Sequence, residues 1–160
     1  MIFLEDIKLV LFDFDDTLCI HQIRKKGNSN NFNIAMLNRD INYWDCKNCY
    51  PNHQMKIFMK LCASIHVDMG LISAVTSCCE AENKIQWIFE KYGFKLKNYC
   101  TGNAENKINI IKALLQSSAL TPQNILFVDD QYINILSVSE LGLQTAMPLE
   151  IINYINDLKI

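Results

Sequence analysis

The stretch Leu9-Val10-Leu11-Phe12-Asp13-Phe14-Asp15-Asp16-Thr17-Leu18 starts as apolar β-formers and turns acidic at Asp13. An apolar run of this kind, cut off by acids, reads as a buried parallel strand whose carboxyl end opens onto a loop. Ligands of open α/β sheets gather at that edge. Asp13 and Asp15 are two residues apart, so where strand geometry persists their side chains point the same way and Phe14 points the other. Two carboxylates this close repel each other unless a cation sits between them, and hard oxygen donors favour Mg2+. The pattern implies metal-assisted phosphate chemistry; the competing reading of the same acids is a turn with a helix cap.

Outward from that strand, which should span Lys8 to Asp13, the chain alternates. After Pro51, Met55, Phe58, Cys62 and Ile65 recur at helical spacing, the stripe of a helix lying on a sheet and ending near His66. Leu71 to Thr76 reads as a second buried strand finishing in hydroxyls. Ser77 with Glu80 makes a capping box for a helix with Ala81, Ile85, Ile88 and Tyr92 on one face and Gly93 as its stop. With Ser77 capping, Thr76 is the hydroxyl left at the strand end, beside a helix N-terminus where phosphate oxygens are favoured. A short strand from Asn98 to Thr101, a turn at Gly102-Asn103 and a helix with Ile108, Ile111 and Leu115 on one face follow. Lys107 falls in that helix's opening turn, the wrong end of the dipole for a cation unless an anion is near. Thr121-Pro122 is a turn, Ile125 to Val128 a buried strand, and Asp129-Asp130 again a pair of acids at its carboxyl end. A helix from Ile133 to Leu141 closed by Gly142, a strand from Leu143 to Met147 and a helix after Pro148 complete the series.

This order predicts an α/β fold: one three-layer, Rossmann-like domain over residues 1–160, with a parallel sheet of about five strands and right-handed crossovers. For the acids of the first and fourth strands to act together, those strands must be neighbours. Composition agrees with an ordinary globule: 160 residues, half of them hydrophobic and a fifth charged, with a formal net charge of -2. Such a balance carries neither a nucleic-acid footprint nor the signature of disorder. Glu5, Asp6 and Lys8 interrupt the apolar start, which reads as no signal peptide, and nothing approaches the roughly 18 apolar residues of a membrane span. The expectation is a cytoplasmic protein without a membrane partner.

The Asp-x-Asp-x-Thr at Asp13, Asp15 and Thr17, the strand-end Thr76, the helix-start Lys107 and the pair Asp129-Asp130 occur in an order that resembles the four motifs of the haloacid-dehalogenase-like (HAD-like) phosphatase superfamily. The run from Phe127 to Gly142 looks especially like its small capless magnesium-dependent phosphatases. The resemblance implies a hydrolase of phosphate monoesters that is Mg2+-dependent and works through an aspartyl-phosphate on Asp13, with Asp15 as general acid and base. Thr76, with Ser77 beside it, and Lys107 would bind the phosphoryl group; Lys107 stands a little over twenty residues before Asp129, as that family's lysine does, with Lys112 and Lys97 as substitutes. Asp13, the Asp15 backbone carbonyl, Asp130 directly and Asp129 through water would hold the metal. Asn134 sits where many members carry another acid. A receiver domain also combines acids, a Thr and a Lys, but needs its acidic pair first and its Lys last, the reverse of this chain.

The segment from about 19 to 50 reads as a flap or insert rather than a large cap, and the interval between Thr76 and Lys107 is too short for one. An open site of that kind admits phosphorylated small molecules or macromolecules. Arg24, Lys25 and Lys26 in the flap either attract an anionic substrate or are a solvated basic loop. The seven cysteines form no disulfide framework and read as reduced, mostly buried thiols. Cys46-x-x-Cys49 is the exception, with His53, His21 or Cys62 as possible completers of a zinc site. Two further readings stay open: a phosphotransferase using the same residues, and a noncatalytic binding or regulatory module on this fold.

Overall fold

Leu9–Phe12 form β1, buried along its whole length and paired with a parallel strand on each edge. The computed structural model describes residues 4–21, 49–102 and 106–158. After β1 come β2 (Cys19–His21), β3 (Cys49–Pro51), α1 (His53–Ser64), β4 (Asp68–Leu71), α2 (Cys78–Tyr92), β5 (Lys97–Asn98) and α3 (Asn106–Ser117). A short 3-10 turn at Pro122–Asn124 leads into β6 (Ile125–Val128), α4 (Tyr132–Ser139), β7 (Gln144–Ala146) and α5 (Pro148–Asp157).

Five strands make one parallel sheet in the order β5-β4-β1-β6-β7, and β2 and β3 make a separate antiparallel pair. The strands carrying the two acidic motifs, β1 and β6, are therefore neighbours, as their chemistry requires. Side chains alternate across a strand, and β1 divides the core accordingly. Val10 and Phe12 pack with α1, α2 and α5 through Phe58, Ile88 and Ile151, while Leu9 and Leu11 pack with α3 and α4 through Ile111 and Val138. The result is the three-layer arrangement. Phe12 meets Phe58 edge-on at 6.2 Å between ring centroids, and Phe14 meets Trp87 in the same way at 5.3 Å.

Several boundaries differ from the sequence expectation. The second strand of the sheet is Asp68–Leu71, not Leu71 to Thr76; beyond Leu71 one isolated bridge, Ala74 to Thr101, prolongs it. Gly70 lies inside this strand because the Tyr99 ring occupies the space a Cβ would fill, 2.7 Å away. β5 is correspondingly shorter than Asn98 to Thr101. α1 stops at Ser64, so Ile65 is 45% exposed instead of closing the stripe. The Ser77 hydroxyl accepts from the Glu80 N–H and Gly93 ends α2 at φ 83°, but the reciprocal bond shifts by one residue: Glu80 receives the Thr76 N–H. Among the described residues, no helix is long and apolar enough to cross a membrane.

Candidate active site

β1 and β6 end level, with Phe12 opposite Val128 and the Asp13 N–H donating to the Val128 carbonyl at 2.9 Å. The next residue on each strand is an aspartate. α3 starts above this joint end and lowers Lys107 onto it, where Nζ donates to Asp13 Oδ1 and to Asp129 Oδ2, both at 2.8 Å. All three side chains are buried. The anions that a lysine in a first helical turn needs are thus supplied by the two neighbouring strands. Burial opposes the ammonium charge, but Asp13 and Asp129 outweigh it and lift the pKa above the ordinary lysine value.

Asp129 is further held by the start of α4. Its oxygens accept from the Gln131 N–H at 2.8 Å and from Asn134 Nδ2 at 3.0 Å each. Oxygens of Asp13, Asp129 and Asp130 lie within 4.8 Å of one another. This donor set of hard carboxylate oxygens fits Mg2+. Burial pushes Asp13 up to about 7, with Asp129 and Asp15 adding to the rise and Lys107 opposing it. A divalent cation among these acids would favour the ionised carboxylate.

Asp15 has different company. Its Oδ1 lies 2.6 Å from His21 Nε2 and its Oδ2 accepts from Lys84 Nζ at 2.9 Å. Lys84 is fully buried and also reaches Ser73 Oγ at 3.1 Å, the Ala74 carbonyl at 3.3 Å and Glu80 Oε1 at 3.3 Å. Burial alone would raise Asp15; Lys84 and His21 outweigh it and hold the carboxyl down at about 2. The backbone reverses direction just beyond, with Asp16 at φ 54° and the Leu18 and Cys19 N–H groups on the Phe14 carbonyl. That turn sends the chain into β2 and brings His21 back over Asp15.

Thr76 and Ser77 are exposed and line an open cleft of about 470 Å³, bordered also by Cys78, Asn98 and Thr101. Asp13, Lys107 and Asp129 are not among its walls. Thr76 is not left uncommitted by the cap, since its hydroxyl donates to Glu80 Oε2 at 2.8 Å. Ser73, buried and two residues beyond Leu71, is the hydroxyl nearer the end of β4, and Lys84 ties it to Asp15.

Lys84 is the main residue that the sequence reading missed. It sits three residues after Ala81 and four before Ile88, so a cation on the buried stripe of α2 was the available signal. Of the substitutes for Lys107, Lys112 is exposed and Lys97 pairs with Asp68 at 2.5 Å, away from the acids. Among the cysteines, the donor atoms that converge with Cys49 Sγ are those of Cys19 and His21; His53 is exposed and Cys62 belongs to the core. Cys46, the basic triplet Arg24 to Lys26, and the aromatic residues Tyr43 and Trp44 lie outside the described residues.

A family model described as "Protein of unknown function (DUF2608)" matches residues 101–158, and no curated protein matches the chain. Solved structures do. A haloacid dehalogenase-like hydrolase, SP0104 from Streptococcus pneumoniae, is 15% identical with a TM-score of 0.61, over 88% of this chain and 83% of that one. The HAD family enzyme bt-2542 from Bacteroides thetaiotaomicron, in complex with magnesium, is 18% identical with a TM-score of 0.57, over 90% and 94%. A D,D-heptose 1,7-bisphosphate phosphatase from Burkholderia thailandensis is 8% identical with a TM-score of 0.54, over 85% and 74%. With its strand order, its two acid-bearing central strands and these likenesses together, the chain has the haloacid dehalogenase-like fold.

Proposed function

We propose that the protein is a magnesium-dependent phosphate monoester hydrolase that works through an aspartyl-phosphate. The observation that carries this reading is the Lys107 ammonium held 2.8 Å from both Asp13 and Asp129 at the joint end of two neighbouring parallel strands. Asp13 attacks phosphorus in line as the ester P–O bond breaks, and Asp15 protonates the departing oxygen. Asp15 then takes a proton from the water that splits the acyl phosphate, which frees inorganic phosphate and restores the Asp13 carboxylate. Covalent catalysis divides one hard displacement into two easier ones. Lys107 offsets charge on the transferring group, and Thr76 with Ser77 offers hydroxyls from the rim of the cleft. Asp15 rests as a carboxylate, so the proton it gives the departing oxygen is first taken up from solvent as the charge of the incoming phosphate raises its proton affinity; acting as base in the second step, it recovers a proton from water and returns it to solvent.

Asp13, Asp130 and the Asp15 carbonyl would hold Mg2+ directly, with Asp129 bonding through water. Bound there, the metal supplies positive charge against the carboxylates and the nonbridging phosphate oxygens. The likeness to a fold relative crystallised with magnesium and inorganic phosphate supports this choice. The site is taken as uncapped: between β4 and α3 the described chain holds only α2, β5 and short connections. Substrates of this reading are phosphorylated small molecules or macromolecules.

The test is hydrolysis of a generic aryl phosphate by wild type and Asp13→Asn, each with Mg2+ and with chelator. Activity confined to wild type with Mg2+ is the expected result. Silence in every sample, with no Mg2+-dependent gain in thermal stability, would sink the reading, since a ligand of the folded state must stabilise it.

A further inference from the structure

We propose that Cys19, His21 and Cys49 form a second metal site, for a thiolate-seeking divalent cation of the zinc class, next to Asp15. Cys19 and His21 are two apart on β2, and Cys49 on β3 is the direct cross-strand partner of His21. Residues two apart on one strand and the residue opposite share a face of the pair. The two sulfurs and an imidazole nitrogen accordingly come within 4.8 Å of one another, all three side chains being buried. Cys49 Sγ is 3.2 Å from His21 Nδ1.

The other face of the imidazole favours a ligand role over two inert core thiols. Lys84 occupies Asp15 Oδ2, and Asp15 Oδ1 receives the His21 Nε2 proton at 2.6 Å. Because the Asp15 carboxylate only accepts, a neutral imidazole in this place carries its proton on Nε2 and presents the Nδ1 lone pair to Cys49. A carboxylate on the far ring nitrogen is how proteins fix and strengthen a metal-bound histidine. Sulfur and nitrogen donors select a cation of the zinc class, while the all-oxygen cluster of Asp13, Asp129 and Asp130 suits Mg2+, so the two clusters sort two cations by ligand chemistry. Binding would turn both thiols into thiolates with release of their protons. It would also cross-link β2 to β3 and, through His21, steady Asp15. The site stands on its own residues and does not depend on the phosphatase reading.

The experiment uses the full chain, produced with zinc and dialysed against excess Mg2+. Metal analysis should find stoichiometric zinc that Mg2+ does not displace, and Co2+ in its place should give a sulfur-to-cobalt charge-transfer band. Cys19→Ser and Cys49→Ser should each weaken zinc binding at least about tenfold, while Cys78→Ser and Cys79→Ser, both at exposed positions, should retain it. Where the cluster variants do not fold, X-ray absorption at the zinc edge of the wild type decides: a sulfur and imidazole shell supports the site, and an all-oxygen shell overturns it. A zinc-free wild type with no cobalt band, or full zinc retention in both cluster variants, overturns it as well.

Discussion

Asp13 and Asp15 leave β1 two residues apart, yet their carboxyls sit in opposite fields. Asp13 is surrounded by acids: Asp129 and Asp130 share its space, Lys107 divides itself between Asp13 and Asp129, and burial pushes the carboxyl up to about 7. Asp15 is also pushed up by burial, but it has an undivided oxygen for Lys84 and another for His21, and it is held down at about 2. One strand end thus offers two carboxyls of different proton affinity. Separating two titratable groups in this way assigns them different work: the crowded one waits for a cation, and the paired one is already balanced.

Removing the crowded carboxylate has the largest expected effect. Asp13→Asn should lower aryl phosphate turnover by about 10⁴-fold or more, the scale seen when a covalent nucleophile is lost. The amide fills the same space without a burial penalty on charge, so stability in chelator should not fall, and a loss of folding alongside activity would count against the assignment. Its pH signature is equally specific. In metal-free protein Asp13 has a folded pKa above the ordinary 3.8, so its contribution to stability is complete below 3.8 and is lost as pH rises through about 7. Asp15 runs the other way, complete above 3.8 and lost as pH falls through about 2. Urea unfolding of the chelated protein across both windows should show Asp13→Asn flattening the upper limb and Asp15→Asn the lower one.

The two lysines break the comparison from its cationic side. Lys107→Met leaves Asp13 and Asp129 facing each other and should cost about 3 to 5 kcal/mol, the scale for stripping one partner from a buried ion pair. Mg2+ should restore part of that loss, because the exposed partners belong to the acidic cluster. Lys84→Met strips Asp15 and Glu80 and should cost about 3 kcal/mol, but Mg2+ should return little of it, since those carboxylates are not in the cluster. Denaturant midpoints with and without Mg2+ measure both. Equal rescue of the two variants would erase the distinction drawn between the regions.

The partners of Asp13 were legible in sequence and those of Asp15 were not, for a physical reason. Asp13 and Asp129 end short apolar runs, and Lys107 stands in the first turn of a strongly patterned helix, so local periodicity marks all three. Lys84 sits on the stripe of α2, but what makes burial tolerable there is Asp15, 69 residues away, and no local pattern carries that partner. The second strand was misjudged because Ala74 and Val75 continue its apolar look after regular pairing stops at Leu71. The meeting of Cys19, His21 and Cys49 depends on the register of β2 against β3, which residue spacing alone does not reveal.

The smallest expected effect tests how the crowded side is kept in order. Asn134 Nδ2 donates to both oxygens of Asp129, at the position where an acid was expected by resemblance. An amide donor orients the carboxylate and offsets part of its charge, whereas a carboxylate at the same place would add to the repulsion. Asn134→Ala should therefore cost about 1.5 kcal/mol, as for hydrogen bonds to a charged group, and weaken Mg2+ binding about tenfold, as for loss of a group that orients a metal ligand. Asn134→Asp separates the two roles. It should destabilise the chelated protein more than the alanine variant does and recover more on adding Mg2+, because a further acid is a burden to the empty cluster and an asset to the occupied one. Calorimetric Mg2+ titration together with unfolding midpoints would read both, and an aspartate variant that gained nothing from Mg2+ would show that position 134 faces away from the cation.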